Sequence, residues 1–304
     1  MEKTTTHPRR ARRRRRRSLL PLAILLAALA IAVPVILSLL PRQPRVEPEP
    51  ADPHAGQVYV NDGANMFWLT PHKNLAVNPL TANDFTRDEN GALHYTGMSG
   101  TVRLGVDVSD YQSGTDWQQL AQQGVDFAIL RVGYRGYTQG ALREDSSFRT
   151  FVRGARAAGI DVGVYFFSQA VTVQEAIMEA DYVLGLLDGV PLDLPVYFDW
   201  EPVFADDSRT ASFDASRLTN IAAAFCRVVE QGGCSAGIYM NRQQGYYQYD
   251  LSRLADWSLW VADYNDYPDF YYAFDMWQYS DSAVLDGVPT QADLNFLFVP
   301  SPRG

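Results

Sequence analysis

From Val102 onward the sequence alternates short apolar runs with amphipathic stretches, and that alternation leaves the chain very few folds to choose from. Eight runs read as strands: 103–108, 126–132, 160–167, 194–199, 235–240, 259–262, 273–279 and 292–298. Between the first five lie stretches with helical spacing, 117–123, 146–158, 172–187 and 214–231. Capping residues (Asp116, Thr172, Asp214) open several of them, and glycines (Gly124, Gly159, Gly232) close several. Strands apolar on both faces and separated by helices form parallel sheets, and about eight of them close into a barrel. The last three runs are linked by connections with too little helix for a regular eightfold repeat. The predicted class is therefore α/β, an irregular TIM-like barrel.

One run carries the chemistry. Leu194-Pro-Val-Tyr-Phe-Asp-Trp-Glu-Pro202 is a core strand that ends in two carboxylates, Asp199 and Glu201, with a proline to stop the ladder. Side chains at i and i+2 point the same way, with Cα atoms roughly 6.5–7 Å apart, so both acids share one small volume. Like charges held that close raise at least one pKa, which suits a general acid. Taken alone, an Asp-x-Glu of this kind is more often a solvated strand end. The other strand ends change that balance, because barrel chemistry gathers at carboxy-terminal strand ends. They carry Asp107, Tyr134, Tyr165, the run Trp260-Val-Ala-Asp-Tyr264 and Trp277, while Asp293 opens the last strand. Carboxylates transfer protons and aromatic faces pack against sugar rings, so the set suggests a carbohydrate site. The four histidines, His7, His54, His72 and His94, all precede the barrel. That removes histidine-assisted nucleophiles and histidine-ligated zinc, and no metal or cofactor is expected.

Ahead of the barrel the chain changes character three times. Residues 1–17 form a basic tail; nine basic side chains and one acid precede residue 42, whereas the remainder holds 17 basic and 34 acidic residues. Ser18–Leu40 is 23 residues without a charge, about 34 Å as a helix and long enough to span a membrane. The arginine block places the tail in the cytoplasm and the bulk outside, as a single-pass signal anchor. Secretion after cleavage near Ala28-Leu-Ala30 is the alternative, although the apolar run continues ten residues beyond it. An exported, strongly acidic domain has no use for nucleic acid. Residues 41–57 are proline-rich and read as a spacer, and 58–101 as a small β-rich extension with no recognisable chemistry. Cys226 and Cys234, eight apart across a turn, are candidates for a disulfide in an oxidising compartment, with two free thiols as the alternative.

Taken in order, the barrel motifs resemble glycoside hydrolase family 25, the Chalaropsis-type lysozymes. The resemblance rests on Gly105-Val-Asp-Val-Ser109, Asp116-Trp117, Phe127 to Gly136, Gly163 to Ser168, Glu179-Ala-Asp181, Pro195 to Glu201, Trp260 to Tyr264, Trp277 to Ser280 and Asp293-Leu-Asn295. It implies a (β/α)5(β)3 barrel over 102–304. The implied activity is cleavage of the β-1,4 bond from N-acetylmuramic acid to N-acetylglucosamine in peptidoglycan, by a monomer. Carried over by motif position, Glu201 would be the general acid and Asp199 would support the substrate's acetamido group or the developing positive charge. Asp107 and Asp293 would complete an acidic cluster that raises the pKa of Glu201. Tyr165 would lie beside the reacting sugar, with Tyr134, Trp260, Asp263, Tyr264 and Trp277 lining further substrate contacts. An Asp-x-Glu pair on one strand is similar to those of substrate-assisted enzymes, which retain configuration; a water activated by Asp107 would invert it. Wall-binding repeats common in secreted members do not follow the barrel, and the anchor is expected to replace them and to point to remodelling of the cell's own wall. A chitinase-like glycosidase and an anchored, non-catalytic wall-binding protein are the alternatives.

Overall fold

The computed structural model describes residues 20–39, 52–98, 100–211 and 213–303. The chain divides into two units, Met1–Pro53 and His54–Gly304. In the first, α1 (Leu20–Leu39) is a 20-residue helix with Pro34 inside it and every side chain exposed. At 1.5 Å per residue it is about 30 Å long, the thickness of a bilayer's hydrocarbon core. The arginine block and residues 40–51 lie outside the described residues.

The second unit opens with two antiparallel hairpins, β1 (Val58–Asn61) with β2 (Met66–Leu69) and β3 (Phe85–Arg87) with β4 (Leu93–Tyr95). The barrel follows as β5 (Thr101–Val108), α2 (Trp117–Gln122), β6 (Phe127–Arg135), β7 (Leu142–Glu144), α3 (Phe148–Ala157), β8 (Asp161–Ser168), α4 (Val173–Leu187) and β9 (Val196–Trp200). It continues with α5 (Leu218–Gln231), β10 (Ala236–Asn241), α6 (Arg242–Tyr247), β11 (Ser258–Ala262), β12 (Met276–Ala283) and β13 (Ala292–Val299). Around the barrel the order is β5-β6-β8-β9-β10-β11-β12-β13, and β13 pairs back onto β5. β7 is a short antiparallel addition to β6. The architecture is thus five β/α units and then three strands.

The sequence pattern implied a parallel sheet throughout, and β13 departs from it by running antiparallel to both neighbours. A parallel return needs a crossover of a dozen or more residues, and residues 284–291 are too few. The reversal matters for function: it brings the start of β13, rather than its end, to the rim where β5 ends, so that Asp293 pairs with Asp107.

Alternation along the strands separates two cores. Phe127, Ile129, Tyr197, Tyr239, Trp260 and Met276 fill the barrel interior. Gly105 leaves room for them, because a Cβ there would come 2.3 Å from the Phe127 ring. The intervening residues face the helices, which meet them with side chains at three- and four-residue spacing: Phe148, Phe151, Val152 and Ala155 on α3, and Leu218, Ile221, Ala222, Phe225 and Val229 on α5. Each large side chain buried this way contributes about 1.5–3 kcal/mol. Asp116 and Thr172 cap α2 and α4 by accepting backbone N–H bonds, as their positions in the sequence suggest.

The cysteines do not pair; both are free thiols. Cys226 sits on the face of α5 turned to the sheet, fully buried, with its Sγ 3.6 Å from the Gly237 carbonyl oxygen, while Cys234 lies half-buried beyond the turn. The extension is stitched to the barrel's outer side. Asn78 donates to the Pro268 and Phe270 carbonyls, Ala273 N donates to Ala76 O, and Phe85 meets Trp277 edge-on at 5.1 Å.

Candidate active site

Strand periodicity places the acids. Inward positions of β5 end at Asp107, those of β9 at Asp199 with Glu201 two residues on, and those of β13 begin at Asp293. All four line one 240 Å³ cavity at the barrel rim, with Tyr165, Arg131 and Tyr239 in its walls and the buried Trp260 at its base. Trp260 is held edge-on by Tyr239 at 4.7 Å, Tyr197 at 5.2 Å and Tyr165 at 6.3 Å.

Two amide side chains fix the charge state of this cluster. The Trp260 indole, which can only donate, gives its N–H to Asn295 Oδ1 at 2.8 Å and so turns the Asn295 amide onto Asp107 Oδ2, also at 2.8 Å. Likewise the hydroxyls of Tyr239 and Tyr264 donate to Gln278 Oε1 at 2.9 and 2.8 Å. The Gln278 amide therefore faces Asp107 at 2.8 Å and Asp293 at 3.2 Å. Burial pushes the Asp107 pKa up and these two donors oppose it, which makes Asp107 the member best able to hold a negative charge. Burial raises Glu201, and the Asp107 charge adds to that. Asp199 rises well above the usual carboxylate range through burial and then the charges of Glu201 and Asp107, and Asp293 is pushed up to about 9 by burial and Asp107. The cluster accordingly keeps protons near neutrality. Asp199 also carries a buried Oδ1 with no hydrogen-bond partner among the described residues, an acceptor open to a donor from outside the protein.

The cavity is the middle of a longer groove. On one side it shares Tyr111, Arg131 and Phe167 with a 420 Å³ cavity whose wall includes Tyr134 and Tyr137. On the other it shares Glu201 and Tyr239 with a 510 Å³ cavity lined by Asp263 and Tyr264. Arg131 stands at the first junction, ion-paired with Asp145 at 2.7 Å and Asp110 at 2.5 Å, its guanidinium over the Tyr134 ring at 5.2 Å.

Of the residues singled out from sequence, Asp107, Tyr165, Asp199, Glu201, Trp260 and Asp293 meet in the central cavity, and Tyr134, Asp263 and Tyr264 line its neighbours. Trp277 does not reach the groove. It is fully buried on the outer face of β12 against Phe85, and its indole donates to the Asp263 carbonyl at 2.6 Å. The two-residue period accounts for this: Met276 and Gln278 point inward, and Trp277 between them points out. Sequence reasoning missed Gln278, Asn295, Tyr239 and Arg131; the two-residue period from Asp293 puts Asn295 on the same face, but only the structure shows that it and Gln278 meet Asp107.

Residues 106–288 match the family model of glycosyl hydrolases family 25. The autolytic lysozyme of Clostridium acetobutylicum is 24% identical over 193 residues, 63% of this chain and 54% of that protein. The chain thus spans about half the length of that curated relative. Among solved structures, the Clostridium perfringens spore cortex lytic enzyme SleM is similar with a TM-score of 0.56 and 26% identity, covering 64% of this chain and 67% of that one. The Streptococcus pneumoniae modular autolysin LytC, solved in complex with a synthetic peptidoglycan ligand, shares the fold with a TM-score of 0.59 at 20% identity, over 80% of this chain and 57% of that one.

Proposed function

The chain belongs to glycosyl hydrolase family 25, and from that premise we propose that it is a peptidoglycan muramidase that hydrolyses the β-1,4 bond between N-acetylmuramic acid and N-acetylglucosamine. The observation that carries this reading is the meeting of Asp199 and Glu201 with Asp107 and Asp293 in one groove on the rim. Glu201, its pKa raised by burial and by Asp107, donates its proton to the glycosidic oxygen as the bond to C1 breaks. The oxygen of the muramyl 2-acetamido group attacks C1 from the opposite face and forms a cyclic oxazolinium. Asp199 accepts the acetamido N–H on its unpartnered Oδ1 and so orients that group for attack. Water then opens the ring and gives its proton to Glu201. Asn295 and Gln278 donate to Asp107 and favour its charge, which in turn raises the pKa of Glu201 and keeps its proton available at the start of each cycle. The polysaccharide lies along the groove, and the lysozyme and autolysin names of the relatives agree with a peptidoglycan strand as its occupant.

The helix α1, apolar and long enough to cross a membrane, supports a signal anchor that holds the enzyme facing the wall of its own cell, in remodelling or turnover. The test is reducing-end analysis of muropeptides released from purified peptidoglycan. Wild type should expose new N-acetylmuramic acid reducing ends, with the β anomer formed first. Glu201→Gln should lower the rate by roughly 10²–10⁴-fold. Release that is unchanged in the variant would sink the assignment of Glu201. An α anomer formed first would replace substrate assistance with a water activated by Asp107.

A further inference from the structure

The extension lies outside the residues that match the family, 106–288, yet one of its turns enters the groove. Asp62, Gly63 and Ala64, at the tip of the β1–β2 hairpin, form part of the wall of the 510 Å³ cavity that adjoins the acids. The tip is held rigidly. Asp62 Oδ1 accepts the backbone N–H groups of Ala64 and Asn65, both at 2.8 Å, and Asn61 Oδ1 accepts that of Gly63 at 2.9 Å. Gly63 has a φ of 102°, which favours glycine. Asp62 Oδ2 accepts the hydroxyl of Tyr247 on α6 at 2.8 Å, and Phe67 packs on the Tyr246 and Tyr247 rings at 5.3 and 5.1 Å. A hairpin of two four-residue strands would not stand alone, so its position over the rim depends on this docking.

We propose that this turn and α6 together build the leaving-group side of the substrate groove, the side that the muramidase reading already gives to N-acetylglucosamine. The inference rests on the muramidase reading and says where its product departs. Of the four carboxyl groups, Glu201 alone lines both cavities, whereas Asp107, Asp199 and Asp293 face only the central one. A general acid must touch the oxygen it protonates, so the departing sugar lies on the Glu201 side. The lining there is acidic, with Arg242 as its one cation among the described residues. Arg242 is paired with Asp269 and lies 3.4 Å from Asp263, and the Asp62 carboxylate is held below its usual pKa range by the backbone N–H groups it accepts. The uncharged polar groups are the amides of Asn241, Gln243 and Asn265 and the phenols of Tyr239 and Tyr264. Such a lining suits hydroxyls and an acetamido group better than a carboxylate, in keeping with N-acetylglucosamine rather than the lactyl-bearing muramic acid on this side.

Two full-length variants test this. Ala64→Leu pushes a branched side chain into the cavity from an exposed position, and Asp62→Ala frees the tip. Each is assayed on glycan strands and on an aryl glycoside of a muramic-acid-terminated oligosaccharide, whose leaving group is not a sugar, with thermal melts as a check on folding. On strands kcat/KM should fall by about tenfold, mostly through KM, while the aryl substrate is cleaved within about twofold of wild type. Equal effects on both substrates, or none on either, overturn the proposal and leave the muramidase reading in place. A wild-type enzyme inert on both overturns that reading and the proposal with it.

Discussion

Asp107 owes its place in the cluster to residues that carry no charge. Its two amide donors oppose the burial that raises its pKa, and its charge is part of what raises Glu201, Asp199 and Asp293. Removing a donor should propagate through this chain. Asn295→Leu makes Asp107 easier to protonate, which removes a negative charge beside Glu201 and lowers the Glu201 pKa. The alkaline limb of the kcat/KM profile should then move to lower pH by roughly half to one unit, and Asp107→Asn should move it the same way. A profile of unchanged shape, merely scaled down, would show that Asn295 acts only structurally. Stability follows the same logic with its own sign. Asp293 has a folded pKa of about 9, far above the unfolded carboxylate value, so its contribution is fully present in acid and is lost as pH rises towards 9. Asp293→Asn should raise Tm at pH 9 by on the order of 2 °C, a small figure because the side chain is partly exposed, and should leave Tm at pH 4 unchanged. The acids themselves were legible in the sequence because carboxylates at the rim ends of apolar core strands stand out against the runs that carry them. The amides were not, since Asn295 and Gln278 gain meaning only from the indole and phenols that orient them.

At the level of elements the strands were legible from apolar runs alone, and what they left unresolved was direction and facing. β13 runs against its neighbours because its connection is short, and that reversal puts Asp293 rather than Phe298 at the rim. β7, α6 and β3, three to six residues each, escaped notice. Trp277 and Gln278 show what facing decides. The tryptophan drew attention as a sugar platform by its type, yet it fills the seam between β12 and the extension while its neighbour meets the acids. Trp277→Phe should therefore cost about 1–3 kcal/mol of stability through lost packing and the lost bond to Asp263 O, with kcat and KM within about twofold of wild type. Gln278→Leu should do the reverse: modest change in Tm, and a fall in kcat that exceeds any rise in KM. Chemical denaturation and steady-state kinetics on the two variants separate these outcomes, and a kinetic defect in Trp277→Phe larger than its loss of stability would contradict the assigned facing.

At the scale of the whole chain, the sequence divides the work by composition. Nine basic residues before residue 42 stand against a net charge of −17 beyond it, and the uncharged segment between them carries the one described helix outside the globular unit. The substrate proposed above is a fixed, extended polymer that cannot diffuse to an enzyme, so the proposed tether raises the effective concentration of groove over substrate instead of improving any contact within it. An enzyme held by the proposed anchor works only on strands close to its own membrane, which is the argument for turnover of the cell's own wall. The expectation is that the full-length chain sediments with membranes and withstands a high-salt wash, because apolar burial of α1 is insensitive to the screening that strips surface-bound basic tails. Release of the barrel by a protease that cuts within 41–57 should leave muropeptide release from isolated walls unchanged per molecule while abolishing preference for the producing cell's wall. Recovery of the protein from the medium, beginning just after Ala30, would instead make α1 a cleaved signal and remove the spatial restriction on which the turnover role depends.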